Sequence, residues 1–388
     1  LFSARNTIKK ERVKMVKNLT LKPVDIKFIG TGNPVGNDPR EKAERILSKS
    51  IIYLCKKEAL TAKDISDELS VPMPFIEDEL EILVHGANGK YGLLRKLDNG
   101  KYISNIVVLD FAEFKEAANV YTEALDEFCN MVVEYFESNK EKIENFPFLS
   151  PKKDISFIAW SLISPMVWSL ERTVNKYLAN RYMSDIEILK RDYTLIGIAH
   201  NMNEPVNLYF YGCDGLGAEN LCGYKSVVFQ NIYGARMDKH YDCEHNLSTE
   251  PQFMMLLRSI KGLDITTLNE NEKEIAAKAI ESGLIEKNGN TLRPKILVMK
   301  TSDNKDFYSL TNNFDKNIEP LCDKIAEKLS KVIKKQVPKH LLNEYPILTD
   351  IATMPLLHHT IEKCIEKGIL KEPGSRLCAE GSCLYVEE

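Results

Sequence analysis

The stretch TAKDISDELSVPMPFIEDELEILVHGA (61–87), with the run YGLLRKLDNGKYISNIVVL (91–109) after it, decides the fold that we expect for the first part of the chain. Thr61 followed by Asp64 is typical of a capped helix start. Ser70-Val71-Pro72 is a tight turn, and a second helix with regularly spaced apolar residues follows it. These signals predict two helices joined by a short turn.

A β-hairpin is predicted directly after the two helices. Asn99-Gly100 lies between two runs with alternating apolar residues, which is a strong hairpin signal. A further helix over about 40–57 precedes the pair. Three helices and a hairpin predict a winged helix over 40–110.

The charges of this predicted module bear on how it would meet DNA. The second helix of the helix-turn-helix would be the reading helix, and it carries no Lys or Arg but four acids, Glu77, Asp78, Glu79 and Glu81. The hairpin is better supplied with basic side chains: Lys90, Arg95, Lys96 and Lys101. Because phosphates repel carboxylates, we favour a winged helix used as a protein–protein scaffold. Direct DNA binding stays open as the alternative.

A basic segment precedes the module. Residues 1–22, which include Arg5, Lys9 and Lys10, have a net charge of +6. The whole chain has −4, so the residues after this segment sum to −10. Such asymmetry indicates a basic arm that contacts nucleic-acid phosphates, with a solvated helix end as the alternative. Residues 23–39 open with a short run of alternating strand sequence, VDIKFI (24–29), continue into a loop rich in Gly, Pro and Asn, and are expected to be a linker.

Residues 111–185 are predicted to form a long helical connector. Aromatic and apolar residues recur there every three or four positions, as in the seam of a coiled coil. They are Phe111, Phe114, Ala118, Tyr121, Leu125, Phe128, Val132 and Tyr135. The seam either joins two copies of the chain or packs on the amphipathic segment 154–183, and we favour packing within the chain.

Residues 186–250 change to strand-forming sequence rich in Val, Phe and Tyr, which predicts an antiparallel sheet in an α/β segment. Strands with several tyrosines beside Gly-rich turns can shape a ligand pocket. The candidate pocket residues are Tyr193, Tyr209, Tyr211, Tyr224 and Phe229. An ordinary sheet core without a ligand is the alternative.

The last segment, 251–388, repeats the helix–hairpin pattern. Residues 253–300 contain two helices, the run Gly-Leu-Ile-Glu-Lys (283–287) and a predicted hairpin. The C-terminal helix before Gly368 is followed by a segment that would complete a third hairpin. These segments share the pattern and not the residue identities, so we expect further winged-helix-like units.

The sequence contains no arrangement that indicates catalysis, a cofactor or a metal. Motifs that bring a nucleophile and a base together are absent, and Cys213, Cys222, Cys243 and His245 are spaced too widely for a typical zinc site. The scattered, odd number of cysteines is typical of a reducing cytoplasm, and no apolar run reaches the ~18 residues of a membrane span. We expect a cytoplasmic protein that is not an enzyme.

The first ten residues, Leu1-Phe2-Ser3-Ala4-Arg5-Asn6-Thr7-Ile8-Lys9-Lys10, resemble the end of region 4 of sigma-70 family RNA polymerase sigma factors of the extracytoplasmic-function type. The run VPMPFIEDEL (71–80) resembles the extension that some of these factors carry after region 4. The resemblance implies that promoter-binding and polymerase-binding regions precede Leu1, with RNA polymerase core as a partner. The resemblance also implies that Arg5, Lys9 and Lys10 contact DNA phosphates.

Taken together, the sequence predicts an α+β chain with a winged helix-turn-helix, a long helical connector, an α/β sensor-like domain and further winged-helix-like units. The expected function is transcription regulation by the C-terminal regulatory extension of a sigma-factor-like protein. A small-molecule or protein effector at the 186–250 sheet would change how the winged helix and the basic arm meet promoter DNA or polymerase. The alternative is a self-contained winged-helix repressor that binds DNA as a homodimer.

Overall fold

A computed structural model describes residues 24–32, 38–86, 92–151, 153–190, 193–202, 211–241, 246–302 and 312–388. Over these residues the chain is of the mixed α+β class, as the sequence predicts. The helices are α1 (Pro39–Lys42), α2 (Ile46–Leu54), α3 (Ala62–Leu69), α4 (Met73–His85), α5 (Phe111–Thr122), α6 (Leu125–Glu144), α7 (Ile155–Tyr177), α8 (Pro251–Ser259), α9 (Glu270–Glu281), α10 (Asn312–Gln336) and α11 (Tyr345–Glu366).

The strands of the described chain pair in four sheets. They are β1 (Val24–Gly32), β2 (Leu94–Lys96), β3 (Tyr102–Ser104), β4 (Val107–Asp110), β5 (Tyr193–Asn201), β6 (Gly212–Leu221), β7 (Tyr224–Tyr233), β8 (Leu263–Asp264), β9 (Ile285–Asn288), β10 (Thr291–Pro294), β11 (Leu297–Lys300) and β12 (Ser382–Glu387). The sheet orders are β1-β5-β4, β2-β3, β8-β10-β9 and β11-β12-β7-β6.

The chain divides into two compact units, and neither is continuous in sequence. Unit 1 takes its described residues from Leu1–Asn119, Leu178–Asn207 and Glu327–Ala352. Unit 2 takes them from Val120–Tyr177, Leu208–Ala326 and Thr353–Glu388. Where the structure describes the boundaries, they fall inside or at the ends of helices, and each unit combines segments that are distant in the chain.

Unit 1 contains a three-stranded sheet and a helix–hairpin module, which we call module 1 and define as residues 38–104. Strand β5 lies in the middle of the sheet, antiparallel to β1 and parallel to β4. The sheet and the module share one hydrophobic core, because sheet residues such as Ile26 and Leu195 belong to the same cluster as Ile51 and Leu80 of the module.

Unit 2 contains the four-stranded sheet, long helices and a second helix–hairpin module, which we call module 2 and define as residues 251–294. The rings of Phe128 and Tyr135 on α6 contact Phe314 of α10 edge-on, with centroids 5.8 and 5.7 Å apart. Ser169 on α7 donates a hydrogen bond of 2.6 Å to Asp315 of α10. Module 2 packs its buried residues into one cluster with the sheet.

The chain runs through the same order of elements twice. The first pass is β1, module 1, β4, long helices and β5; the second is β7, module 2, β11, long helices and β12. In both passes the last strand lies between the other two, antiparallel to the first and parallel to the second. We refer to these passes as repeat 1 and repeat 2.

Backbone hydrogen bonds support the equivalence of the two modules. The N–H of Asn105 donates to the carbonyl of Leu93 at 2.9 Å, and the N–H of Lys295 donates to that of Leu284 at 2.9 Å. The hairpin of module 1 is bridged to Leu60, and that of module 2 pairs with β8 at Leu263. Each hairpin is therefore attached through its second strand to a short segment, which precedes α3 in module 1 and the 3-10 turn before α9 in module 2.

Several predicted boundaries differ from the structure. The short strand predicted at the start of the linker is longer, β1 over 24–32, and it belongs to a sheet, because it pairs with β5 along nine residues. The first part of the predicted connector is broken into two helices, α5 and α6, and Ala124, with φ of −93° and ψ of −2°, is the cap residue before α6. Side-chain periodicity continues across the break, so the sequence pattern could not reveal it. The predicted packing of this segment on 154–183 is confirmed for α6 and α7.

Two further predictions are wrong. The strands of 186–250 do not form one sheet, since β5 pairs with β1 and β4 while β6 and β7 pair with each other and with β12. The C-terminal segment does not form a third hairpin, because β12 is a single strand between β7 and β11. In both cases the partner strand is far away in the sequence.

Among the described residues, no helix combines the length and apolar character needed to cross a bilayer.

Candidate nucleic-acid interface

The helix pair α3–α4 of module 1 forms where local sequence signals predict it. Thr61 accepts the N–H of Asp64 at 3.1 Å, and the Asp64 carboxylate accepts the N–H of Thr61 at 2.9 Å, which closes a capping box. The Thr61 hydroxyl, at 2.7 Å, and the Thr61 N–H both donate to the Asp64 carboxylate and lower its pKa, and the Lys101 charge lowers it by a smaller amount. Ser70 ends α3 in the left-handed conformation at φ 52°, which turns the chain into α4.

Helix α4 buries an apolar face and exposes an acidic one. Ile76, Leu80 and Leu83 are in the core of unit 1. Of the four acids, Glu79 is buried and faces inward, where it pairs with Arg45 at 3.0 Å and accepts a hydrogen bond from Ser48. The other three are exposed: Glu77, Asp78 and Glu81. The outer face of α4 is therefore negatively charged, and a phosphate would be repelled there.

The hairpin β2–β3 is a tight, internally bonded element. The N–H of Leu97 donates to the carbonyl of Lys101 at 2.8 Å, and Gly100 closes the turn with φ 76°. At that φ a residue with a Cβ is strained, so the Asn-Gly pair of the sequence fits this turn. At its base, Ser104 donates its N–H to the Cys55 carbonyl at 2.9 Å.

The hairpin carries positive charge that lies outside the ion pairs of module 1. Arg95 and Lys96 are exposed and Lys101 is half-buried. Within the described part of the chain, none of the three forms an ion pair. Asp98 is the one acid between Gly92 and Ser104, so the hairpin has a net charge of +2.

The base of the hairpin is also fixed from the C-terminal part of unit 1. The Nε2–H of His340 donates to the Ser104 carbonyl at 3.0 Å. Burial lowers the pKa of His340, the hydrogen bond to Ser104 opposes that change, and the Arg95 cation adds to it. A neutral His340 therefore holds the hairpin on its scaffold.

Other predicted phosphate contacts fall outside the described residues. These are Arg5, Lys9, Lys10 and Lys90. The structure brings together Arg95, Lys96 and Lys101 of the predicted set on one hairpin.

The predicted ligand pocket is not formed by its candidate residues. Tyr193 is buried in unit 1, where its ring lies over Gly30 of the neighbouring strand. Tyr211, Tyr224 and Phe229 are buried in unit 2, and Phe229 packs edge-on against Phe253 with centroids 5.8 Å apart. Tyr209 lies outside the described residues. The aromatic-rich runs predicted β5 and β7 correctly, but these two strands belong to different sheets.

A cleft of about 340 Å³ does exist in unit 2, next to an ion pair. Arg236 donates two hydrogen bonds, of 2.9 and 2.6 Å, to Glu362 and contacts Glu372 at 3.1 Å. The hydrogen bonds from Arg236 hold the pKa of Glu362 below its usual value. Lys363 in the same cleft pairs with Glu366 at 3.2 Å. Because these charges are paired with each other, the cleft offers little to bind a charged ligand.

No group of three His, Cys, Asp or Glu side chains in the described part of the chain is arranged to hold a metal ion. Cys213 lies on β6, and Cys222 is exposed at the turn before β7. Burial raises the pKa of both thiols. Cys243 and His245 lie outside the described residues.

Sequence reasoning missed the basic side chains of the second hairpin. Lys287, Arg293 and Lys295 are exposed on and beside β9–β10. The available signal was the shared run Gly-Leu-Leu-x-Lys (92–96) and Gly-Leu-Ile-x-Lys (283–287), which opens both hairpins.

Comparison of the chain with protein-family models, curated proteins and solved structures finds no match.

Proposed function

We propose that the chain regulates transcription as the C-terminal extension of a sigma-factor-like protein, and that module 1 is a winged helix whose hairpin contacts DNA. The observation that carries the proposal is the basic hairpin β2–β3 beside the capped helix pair α3–α4. Phosphates bind exposed Lys and Arg side chains and release counterions from the duplex. Arg95, Lys96 and Lys101 supply these side chains.

The acidic face of α4 fits a different role in the same proposal. Residues 61–86 have a net charge of −6, and Phe75 on the outer side of α4 is 62% exposed. An exposed aromatic side chain on a charged surface is typical of protein–protein contacts. The hairpin then holds the DNA backbone while α4 meets a protein such as RNA polymerase.

The homodimeric repressor has less support. Its dimer seam needs the apolar face of 111–135 to be exposed, yet Phe128, Val132 and Tyr135 are buried. Phe128 and Tyr135 pack on α10 of the same chain. We therefore propose that one chain acts without pairing through this seam.

Replacing the three hairpin cations tests the proposal. The triple variant Arg95→Ala/Lys96→Ala/Lys101→Ala removes three phosphate contacts at exposed or half-buried positions. We expect the slope of log affinity against log salt to become shallower by about 3, since each contact contributes about 0.9. Affinity for a labelled DNA duplex, measured by fluorescence anisotropy, should fall by roughly tenfold or more at low salt.

A matched control removes the same charge elsewhere. Lys140, Lys142 and Arg172 are exposed on α6 and α7, and their triple alanine variant should keep the slope of the wild-type chain. If the hairpin variant also keeps that slope, or the control loses as much, the hairpin does not bind DNA and the proposal is wrong.

A further inference from the structure

The second repeat carries a hairpin that matches the first in both attachment and charge. Lys287 occupies the position of Lys96, because each is the fifth residue of a run that begins at Gly283 or Gly92. Buried pairs hold the runs in place, Leu284 with Ile285 in one and Leu93 with Leu94 in the other. Like the first hairpin, residues 283–295 have a net charge of +2.

Module 2 keeps the hairpin but shortens the helix pair. Where module 1 has the helix α3 of eight residues, module 2 has a single 3-10 turn, Ile265–Thr267. Helix α9 follows with its own capping box between Asn269 and Glu272. Residues 264–281 have a net charge of −3, so here too the helical part is acidic and the hairpin is basic.

The basic side chains of the helices and of the hairpins are used differently. On α9, Lys273 pairs with Glu270 at 2.7 Å and Lys278 with Glu274 at 2.9 Å. On α3 of module 1, Lys63 likewise pairs with an acid of its own helix, at 2.7 Å. The helix lysines are thus neutralised locally in both modules.

The hairpin cations of module 2 have no such partner. Lys287, Arg293 and Lys295 form no ion pair with any residue that the structure describes. Glu286, the acid of this hairpin, faces the half-buried Lys153 at 4.0 Å. The guanidinium of Arg293 lies near Gly262, where a Cβ would come within 3.7 Å of it. Three cations therefore remain available on one small element of a chain that is acidic overall.

We infer that the hairpin β9–β10 is a second DNA-binding surface, which holds duplex phosphates through Lys287, Arg293 and Lys295. One chain then contacts the DNA backbone at two hairpins. Without a full helix-turn-helix beside it, the second hairpin adds affinity and does not read base sequence. The inference rests on the proposed function, which assigns DNA contact to the first hairpin only.

The experiment compares the two hairpins separately and together in the full chain. The triple variant Lys287→Ala/Arg293→Ala/Lys295→Ala should make the salt slope shallower by about 3, and the six-residue combination by about 6. The single variants Lys96→Ala and Lys287→Ala, at equivalent positions, should each reduce the slope by about 1. The triple variant of Lys140, Lys142 and Arg172 again serves as the control.

The outcomes separate the inference from the proposed function. If the first hairpin changes the slope and the second does not, the inference is wrong and the proposed function stands. If neither changes it, both are wrong. Should the triple variant of the second hairpin unfold, as its thermal midpoint would report, the charge-preserving Lys287→Arg/Arg293→Lys/Lys295→Arg decides. That variant should keep the wild-type slope while Lys287→Ala loses about 1, and a Lys287→Ala slope equal to that of the wild type overturns the inference.

Discussion

His240 is a buried histidine whose hydrogen bonds fix its tautomer. Its Nε2–H donates to the Ser282 carbonyl at 2.8 Å, and its Nδ1 accepts from the Ser382 hydroxyl at 3.1 Å. The ring also contacts Phe229 edge-on, with centroids 6.0 Å apart. Burial lowers the pKa of His240 below its ordinary value of 6.5, and the bond to Ser282 opposes the change only in part.

This histidine makes stability depend on pH. Because the folded-state pKa is below the unfolded value, the unfolded chain binds the proton more readily, and stability is fully present above about pH 6.5 and falls as the pH falls. The variant His240→Gln keeps a donor for Ser282 and removes the titration. We expect its thermal midpoint to fall less between about pH 7 and pH 5 than that of the wild-type chain.

The exposed His85 provides the matched control for this measurement. The thermal midpoint of His85→Gln, measured over the same pH range, gives the effect of a His→Gln substitution at an exposed position. An equal fall of the midpoint in wild-type and His240→Gln chains would contradict the role that we assign to His240.

At the scale of elements, local signals were predictable and strand pairing was not. Thr61 with Asp64 predicted a helix start, and Asn99-Gly100 predicted a turn, because capping and turn closure act within a few residues. Cys383 pairs with Gln230 across β12 and β7, and no periodicity within either strand encodes such a distant partner. This is why one sheet was predicted where two exist and why β12 was read as part of a hairpin.

In the candidate site, too, features fixed by local sequence were predictable and features fixed by distant contacts were not. The basic residues of the first hairpin were predictable, since the turn fixes the hairpin and its charges are visible in the sequence. The inward direction of Glu79 was not predictable, because it depends on Arg45, which precedes α2, and on Ser48 of α2. The prediction of an aromatic pocket was wrong because the aromatic residues of these strands fill hydrophobic cores and do not line a ligand site.

At the scale of the whole molecule, the repeats and the compact units do not coincide. Unit 1 includes 327–352 of repeat 2, where Lys335 contacts Glu116 at 3.0 Å and Asn343 accepts the N–H of Leu189 at 3.0 Å. Unit 2 includes 120–177 of repeat 1, where Cys129 contacts Thr360 at 3.9 Å. Each repeat contributes residues to both units. Neither repeat alone therefore contains all the residues of a unit.

Cutting the chain between its repeats tests this exchange of segments. We expect fragments 1–207 and 208–388 to be poorly folded when expressed separately, and to co-purify as a stable complex when expressed together. Circular dichroism and thermal unfolding report the first result, and affinity purification through one tag reports the second. Each fragment contains all the strands, the module and the long helices of one repeat. The expected loss of folding therefore comes from the missing segment of the other repeat and not from missing elements of its own.

A substituted fragment provides the control for this prediction. Replacing 327–352 in fragment 208–388 by a Gly/Ser linker removes the segment that completes unit 1, and fragment 1–207 should then stay poorly folded. Cooperative unfolding of fragment 1–207 alone, at the thermal midpoint of the full chain, would contradict the interdependence of the repeats.

The most direct test of the central claim is photo-crosslinking of the full chain to a labelled DNA duplex from a benzophenone amino acid at defined positions. Asn99 and Asn290 are exposed in the two hairpin turns, Glu77 is exposed on α4, and Glu141 is exposed on α6. We predict DNA crosslinks from positions 99 and 290 and none from positions 77 and 141. Crosslinks from position 77 with both hairpin positions silent would contradict the account, because the acidic helix and not the hairpins would then meet the DNA.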